Sequence, residues 1–392
     1  MILHPRRRGA FPAARPVSLR ARFAPVLAVP VIALATAGLT TADVVAPRPA
    51  SAPAAASEAA PKAAPCRVTA AAKAAPAKST GPAHRTEPRP GKRRYPARIR
   101  VFVANTGSDT VTIWDPRLEE TLAVVPVGDA PVGVTVAPDG QHAYAANSGS
   151  NTVSVIDTST YRVVATVPVG RQPFGVGASP VAVYVANHGS DTVTVIDQRS
   201  NAPVATIPAG PLPHSVAIPA DGSRVYVSNN GGHSVSLIDP RINRVVALFP
   251  AGTFPAGVAL PGSALPGPGR VYVANTGSRD VTVDDPTGDP VATIPVGRSP
   301  LGAAGAPYGD RVYVANARSD TVSVLDDCLL RVIATIPVGH RPEGVAVEPG
   351  GERVYVTNNR DNTFSIIDAF TNTVIGTVPV GLGPEGIAVS PH

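Results

Sequence analysis

Reactive and redox-active side chains are scarce in this chain. Of 392 residues, two are cysteine, one is methionine, one is tryptophan, and 5% are aromatic. Cys66 and Cys328 allow at most one intramolecular bridge, which excludes a disulfide-dense scaffold. Neither has the histidine neighbour that a catalytic thiol needs. Lysine is absent after Lys92, so arginine alone carries permanent positive charge in the rest of the chain. No Glu-x-x-His motif and no nucleophile elbow occurs, which removes the common signatures of zinc peptidases and α/β-hydrolases. The C-terminal three quarters shows no helical period of useful length.

What is present divides unevenly. Residues 1–97 hold sixteen Lys or Arg against three acids, and residues 98–392 hold eighteen Arg against twenty-five acids. The two parts therefore carry +13 and −7, consistent with the whole-chain +6. The basic character belongs to the N-terminal part alone, and the remainder repels phosphate at long range, an argument against nucleic acid as its partner.

Residues 1–42 read as an export signal or N-terminal anchor. Arg6, Arg7, Arg8, Arg15, Arg20 and Arg22 precede an apolar run, Phe23 to Leu39, which Pro25 and Pro30 interrupt. Seventeen residues with two prolines is short for a membrane span. Small residues follow, as a cleavage site requires. Residues 43–97 are Ala, Pro and scattered Lys or Arg, which cannot bury enough apolar surface to offset ordering entropy and predict a disordered basic linker. The expected location is outside the cytoplasm, secreted or on the cell surface, with membrane contact only through the N-terminal segment.

From residue 98 to 392 one unit recurs seven times. An aromatic-valine-rich run ends at Asn105, Asn147, Asn187, Asn229, Asn275, Asn316 and Asn358, at spacings of 42, 40, 42, 46, 41 and 42. Each unit contains four short β-type stretches, a to d, separated by Gly, Pro, Asp or Ser. Four strands per repeat of about 40 residues predict an all-β fold, a seven-bladed β-propeller. Stretch d always carries a proline (Pro126, Pro168, Pro208, Pro250, Pro295, Pro337, Pro379), which places it at the outer edge, where no ladder donor is needed. A second proline follows (Pro131, Pro173, Pro213, Pro255, Pro300, Pro342, Pro384), and two residues later a glycine in every copy but one, where Ser215 stands. The region opens on a b stretch and ends on a lone a stretch, so the C-terminal strand is expected to complete the first blade and close the ring.

The words Tyr-Val-Ala-Asn, Ser-Asp-Thr-Val-Thr-Val-Ile-Asp, Val-Ala-Thr-Ile-Pro-Val-Gly and Pro-Glu-Gly-Val-Ala-Val resemble the YVTN-family propeller repeat of surface-layer and YncE-like exported proteins. The resemblance spans 98–392. It implies a secreted, periplasmic or cell-surface protein, of a group in which many members have no assigned activity and some bind other macromolecules. WD-repeat propellers are matched only at Trp114-Asp115.

Function is expected at the channel mouth, where the residue after each second proline points: Val132, Phe174, His214, Ala256, Leu301, Glu343 and Glu385. The candidate ligand-binding set is Arg171, Phe174, His214, Arg298, His340, Arg341, Glu343 and Glu385. Within it Glu343, Glu385 and His214 are the groups suited to acid-base work or to a divalent cation. The repeated Asn-x-Gly-Ser-Asp/Asn-Thr loops between b and c are oxygen-rich, but seven near-copies point to turn construction, with glycine supplying positive φ. Asp284, where other copies have Ile or Trp, joins Asp280, Asp285 and Asp289 in an acidic cluster that offers a second metal candidate. Cys66 and Cys328 would, if paired, fasten the linker to the ring's edge. The leading expectation is a monomeric, non-enzymatic binding or scaffold protein, without cofactor, for a protein or cell-envelope polymer at the mouth. A metal-assisted, lactonase- or lyase-like enzyme and a nucleic-acid-binding propeller are the alternatives.

Overall fold

Each repeat folds as a four-stranded antiparallel sheet, because its β-branched stretches are too short for anything but strands and are punctuated by turn residues. In the computed structural model the described residues are 99–262 and 269–391. The expected signal (1–42), the linker (43–97), Cys66 and most of the Pro261–Gly269 insertion lie outside them. Among the described residues there are 28 strands and no helix, in seven sheets.

Every sheet runs a-b-c-d from the axis outward. In blade 1 the b, c and d strands are Val101–Asn105, Thr110–Asp115 and Glu120–Pro126, and the a strand is Pro384–Val389, from the other end of the chain. The ring closes as the repeat predicts. The inner strands of blades 2 to 7 are Pro131–Val136, Pro173–Ala178, Pro213–Ala217, Pro255–Ala259, Pro300–Gly305 and Pro342–Val347. Strand b is buried on both faces, strand c nearly so, and strand d alternates between exposed and half-buried. Its terminal proline is exposed, as an edge position requires.

The ring closes on backbone contact. A Cβ on Gly133 would collide with the Phe174 carbonyl of the next blade; the same holds for Gly175 on His214, Gly257 on Leu301, Gly302 on Glu343, Gly344 on Glu385 and Gly386 on Val132. The last contact joins blade 1 to blade 2 with the same geometry as the others. The seam between blades 7 and 1 is also filled by the single tryptophan, Trp114, edge-on to Phe364 at 5.4 Å and to Tyr355 at 6.3 Å. In blade 4, where serine replaces glycine, Ser215 N–H donates to Ser228 Oγ at 3.0 Å, and Ser228 Oγ–H donates to the Ala256 carbonyl at 2.5 Å. The hydroxyl thus bridges the two blades.

The repeated asparagine is a fully buried tie. Asn105 Nδ2 donates to Thr112 Oγ1 at 2.8 Å and to Thr110 Oγ1 at 3.1 Å, while its Oδ1 accepts from Gly381 N–H at 3.1 Å. The loop after it differs from expectation in one respect. Positive φ falls on Asp109, Asn151, Asp191, His233, Arg279, Asp320 and Asn362, not on the loop glycines. The glycine is required for space instead: a Cβ on Gly149 would stand 2.9 Å from that of Asp129 in the adjoining turn. Asp and Asn tolerate the left-handed region because their short polar side chains bond locally.

The acidic cluster on blade 5 is not assembled as a metal site; among the described residues no group of three or more His, Cys, Asp or Glu could hold an ion. Asp280 accepts from Asn275 Nδ2 at 2.7 Å, and Asp285 closes a turn by accepting from the Thr287, Gly288 and Asp289 N–H groups. Asp284 is wholly buried, and neither carboxyl oxygen has a hydrogen-bond partner. Its equivalent Ile156 packs among apolar side chains of blades 1 and 2. Burial, reinforced by Asp285, pushes the Asp284 carboxyl up to about 7.

Two outcomes are expected. Gly386→Ala should destabilise the ring by about 1–3 kcal/mol, because the clash is with backbone that cannot step aside; thermal unfolding measures it. Because the folded state raises the Asp284 pKa, its stability is full below pH ~4 and falls as pH rises to about 7, by roughly 4 kcal/mol. Asp284→Ile should flatten that slope and raise the melting temperature at neutral pH; an unchanged pH profile would contradict it.

Candidate functional site

The residues that face the axis do so because of a β-bulge. In each blade the a–b register slips just after the second proline: Pro131 pairs with Asn147 and Gly133 with Ala146, which leaves Val132 unpaired. The same slip occurs in blades 1 and 3 to 7. A bulge re-aims the side chain it carries. The proline–x–glycine word therefore turns one residue per blade into the channel.

A cavity of about 570 Å³ occupies the mouth. Val132, Phe174, His214, Leu301, Glu343 and Glu385 line it, with Thr106 and Ser148 from the b–c loops and Ala130 and Arg341 from the d–a turns. Both loop sets frame the mouth, as expected. Ala256 departs from the expectation: its methyl is too short to reach the lumen, the residue is wholly buried, and Gly257 lines the wall instead.

Around the ring the order is Glu385, Val132, Phe174, His214, Ala256, Leu301, Glu343, by the order in which inner strands adjoin. Glu343 and Glu385 are thus neighbours, about 51° apart. Phe174 and His214 are also neighbours and stand away from the acids, with Val132 between the pairs on one side and Ala256 and Leu301 on the other.

The acidic side is short of positive charge. Arg341 Nε lies 2.8 Å from Glu343 Oε1, an ion pair not aligned as a hydrogen bond. Burial and then the neighbouring Glu385 push the Glu343 carboxyl up to about 7, against the opposing pull of Arg341. Burial also raises Glu385, which Thr106 and Arg341 partly offset. Beneath the pair, Gly344 N–H donates to Thr357 Oγ1 at 2.8 Å, and Thr357 Oγ1–H donates to the Glu385 carbonyl at 2.7 Å, locking the two inner strands together.

The other side is neutral and aromatic. Phe174 stacks on His188 with centroids 4.6 Å apart, and His214 stands 5.3 Å from Phe174 and 6.0 Å from His188. Burial, with His188 nearby, holds the His214 imidazole down at about 4. Burial likewise lowers His188, whose ring donates to the Pro213 carbonyl. Nδ1 of each histidine has no hydrogen-bond partner. Both are uncharged at neutral pH.

Five of the predicted residues are brought together here: Phe174, His214, Arg341, Glu343 and Glu385. Arg171, Arg298 and His340 are not; they lie exposed in the d–a turns outside the cavity, and His340 Nδ1 instead pairs with Asp361 Oδ1 at 2.9 Å. His188, missed in the sequence, occupies the position after the repeated asparagine. That position reads Thr106, Ser148, His188, Asn230, Thr276, Ala317 and Asn359, and its variability was the available signal.

Glu343 should titrate near pH 7, measured by carboxyl-carbon NMR, and Glu385→Gln should move that midpoint down because the neighbouring negative charge raises it. Arg341→Gln should move it up. A Glu343 midpoint in the ordinary carboxylate range would show the side to be solvated.

The sequence matches no protein-family model and no curated protein. Solved structures are similar to it. A Kuenenia stuttgartiensis hydrazine synthase chain aligns with a TM-score of 0.62 and 24% identity over 68% of this chain and 91% of that one. A functionally unknown protein from Desulfotomaculum acetoxidans DSM 771 aligns at 0.64 with 15% identity, over 74% and 98%. Dihydro-heme d1 dehydrogenase NirN, in complex with DHE, aligns at 0.55 with 16% identity, over 76% and 77%. At these identities the likeness shows the fold alone: this chain is a seven-bladed β-propeller.

Proposed function

We propose that the chain is an exported, non-enzymatic binding propeller of the YVTN, YncE-like kind, which holds its ligand at the axial mouth. One observation carries this reading. The seven copies agree wherever they build blades, and they disagree at the bulged residue, where six of seven converge on one cavity. The arginine-rich, apolar N-terminal sequence and the basic linker support export and display on a tether.

A second reading, acid-base catalysis at the same mouth, is favoured by the Glu343–Glu385 pair, in which burial and mutual repulsion bring a carboxyl to the working range of a general acid. Against it, the histidines belong to blades 3 and 4 and are not neighbours around the ring of the Glu343–Glu385 pair on blades 7 and 1.

The double variant Glu343→Gln/Glu385→Gln should keep its melting temperature at pH 5 and lose capture of envelope components from a cell-wall extract. If capture persists with full occupancy, the mouth is not the binding site. If the unaltered chain turns over a lactone or polysaccharide that the double variant does not, the enzymatic reading replaces this one.

A further inference from the structure

The mouth is built for a particular charge and shape, and the observations go further than a site of unspecified ligand. With both carboxylates ionised and one guanidinium beside them, the Glu343–Glu385 side carries one negative charge more than it balances. Isolated charge in a largely apolar cavity is costly and draws a counter-charge. The raised Glu343 carboxyl reflects the same imbalance, since a proton taken up there removes the surplus charge.

Three candidates can supply the charge: a metal ion, a second basic side chain, or an organic cation. A metal ion would have the two carboxylates as its only acidic ligands, since among the described residues no third His, Cys, Asp or Glu joins them, and it would leave the aromatic side of the cavity unused. The other arginines of the turns, Arg171 and Arg298, are exposed and outside the lining. An organic cation meets the whole cavity. Its volume, about 570 Å³, suits a molecule rather than an ion. The side away from the acids presents Phe174, stiffened from behind by the stacked His188. A neutral aromatic face attracts cations and repels anions. His214 completes that face without adding positive charge. Val132 and Leu301 supply apolar walls between the two sides.

We propose, resting on the mouth as binding site, that its ligand is an amphipathic organic cation: a primary or substituted ammonium between Glu343 and Glu385, with an apolar or aromatic body against Phe174. A free amine and a lysine or amino-sugar group projecting from a polymer share this chemistry.

The test uses the full chain and 2-phenylethylammonium as probe, with calorimetry or ligand-observed NMR at pH 7.5. Saturable 1:1 binding is expected, at least about tenfold tighter than for the neutral isostere 2-phenylethanol or the anion phenylacetate. Glu343→Gln/Glu385→Gln should abolish the preference for the cation, and Phe174→Leu, which keeps the bulk but removes the ring face, should weaken binding about three- to tenfold. Competition by an oligosaccharide carrying free amino groups, but not by its N-acetylated form, separates the polymer from the free amine as source. Preference for phenylacetate or 2-phenylethanol, still sensitive to Phe174→Leu, overturns the cationic ligand and leaves the mouth as the site. Absence of phenylethylammonium binding at millimolar concentration overturns it too, as does displacement of the probe by equimolar calcium. Cation binding undiminished in the double glutamine variant overturns both this inference and the function on which it rests.

Discussion

The contact on which the rest of this molecule depends is the approach of one blade's inner strand to the carbonyl of the next, at a distance that in six of the seven seams leaves no room for a side chain. Six glycines and one hydroxyl-bridged serine set it. Close packing of backbone against backbone fixes how far each blade stands from the axis, and seven such contacts fix the bore. The outer strands need far less: their exposed faces carry Val124, Val164, Val204 and Val246 with no neighbour to satisfy.

That constraint also explains why the mouth is chemically free to vary. The glycine's position is fixed by packing and the asparagine's side chain is committed to hydrogen bonds, so neither varies the chemistry of the mouth from blade to blade. Between proline and glycine, the bulged residue has no ladder partner and no core to fill. The resulting cavity is sided: two carboxyls and an arginine on blades 1 and 7, an uncharged Phe-His-His group on blades 3 and 4, and aliphatic residues separating them. An evenly repeated ring of side chains would have had a sevenfold field with no preferred orientation for a small ligand.

Strand order, edge prolines and ring closure were legible in the sequence because they follow from periodicity and from what proline cannot donate. The mouth was legible through the exceptions to that periodicity, which is how Phe174, His214, Glu343 and Glu385 were found. Less accessible were features set by contacts between repeats. His188 follows the repeated asparagine and reaches Phe174 only because the b–c loop folds over the preceding d–a turn. Arg171 and Arg298 sit next to the mouth along the chain, yet the turn throws them outward. In the sequence the loop glycines look like turn-formers, whereas steric crowding from the adjoining turn is what demands them, and the left-handed residue stands two places on, Asp or Asn in five copies and His233 and Arg279 in the other two. Asp284 stood out as a deviation, but nothing short of the packed interface shows its two oxygens to be without partners.

Closure of blade 1 by the strand Pro384–Val389 has a kinetic meaning. Ser390 Oγ accepts from Arg100 N–H at 2.8 Å, a link between residues 290 positions apart, and Val101 pairs with Val389. The sheet that the chain begins first is the last to be finished, and until it is, blades 7 and 2 each lack a neighbour on one flank. Joining strands this far apart in sequence carries a loop-closure entropy that no local contact offsets, the kind of long-range pairing that slows folding.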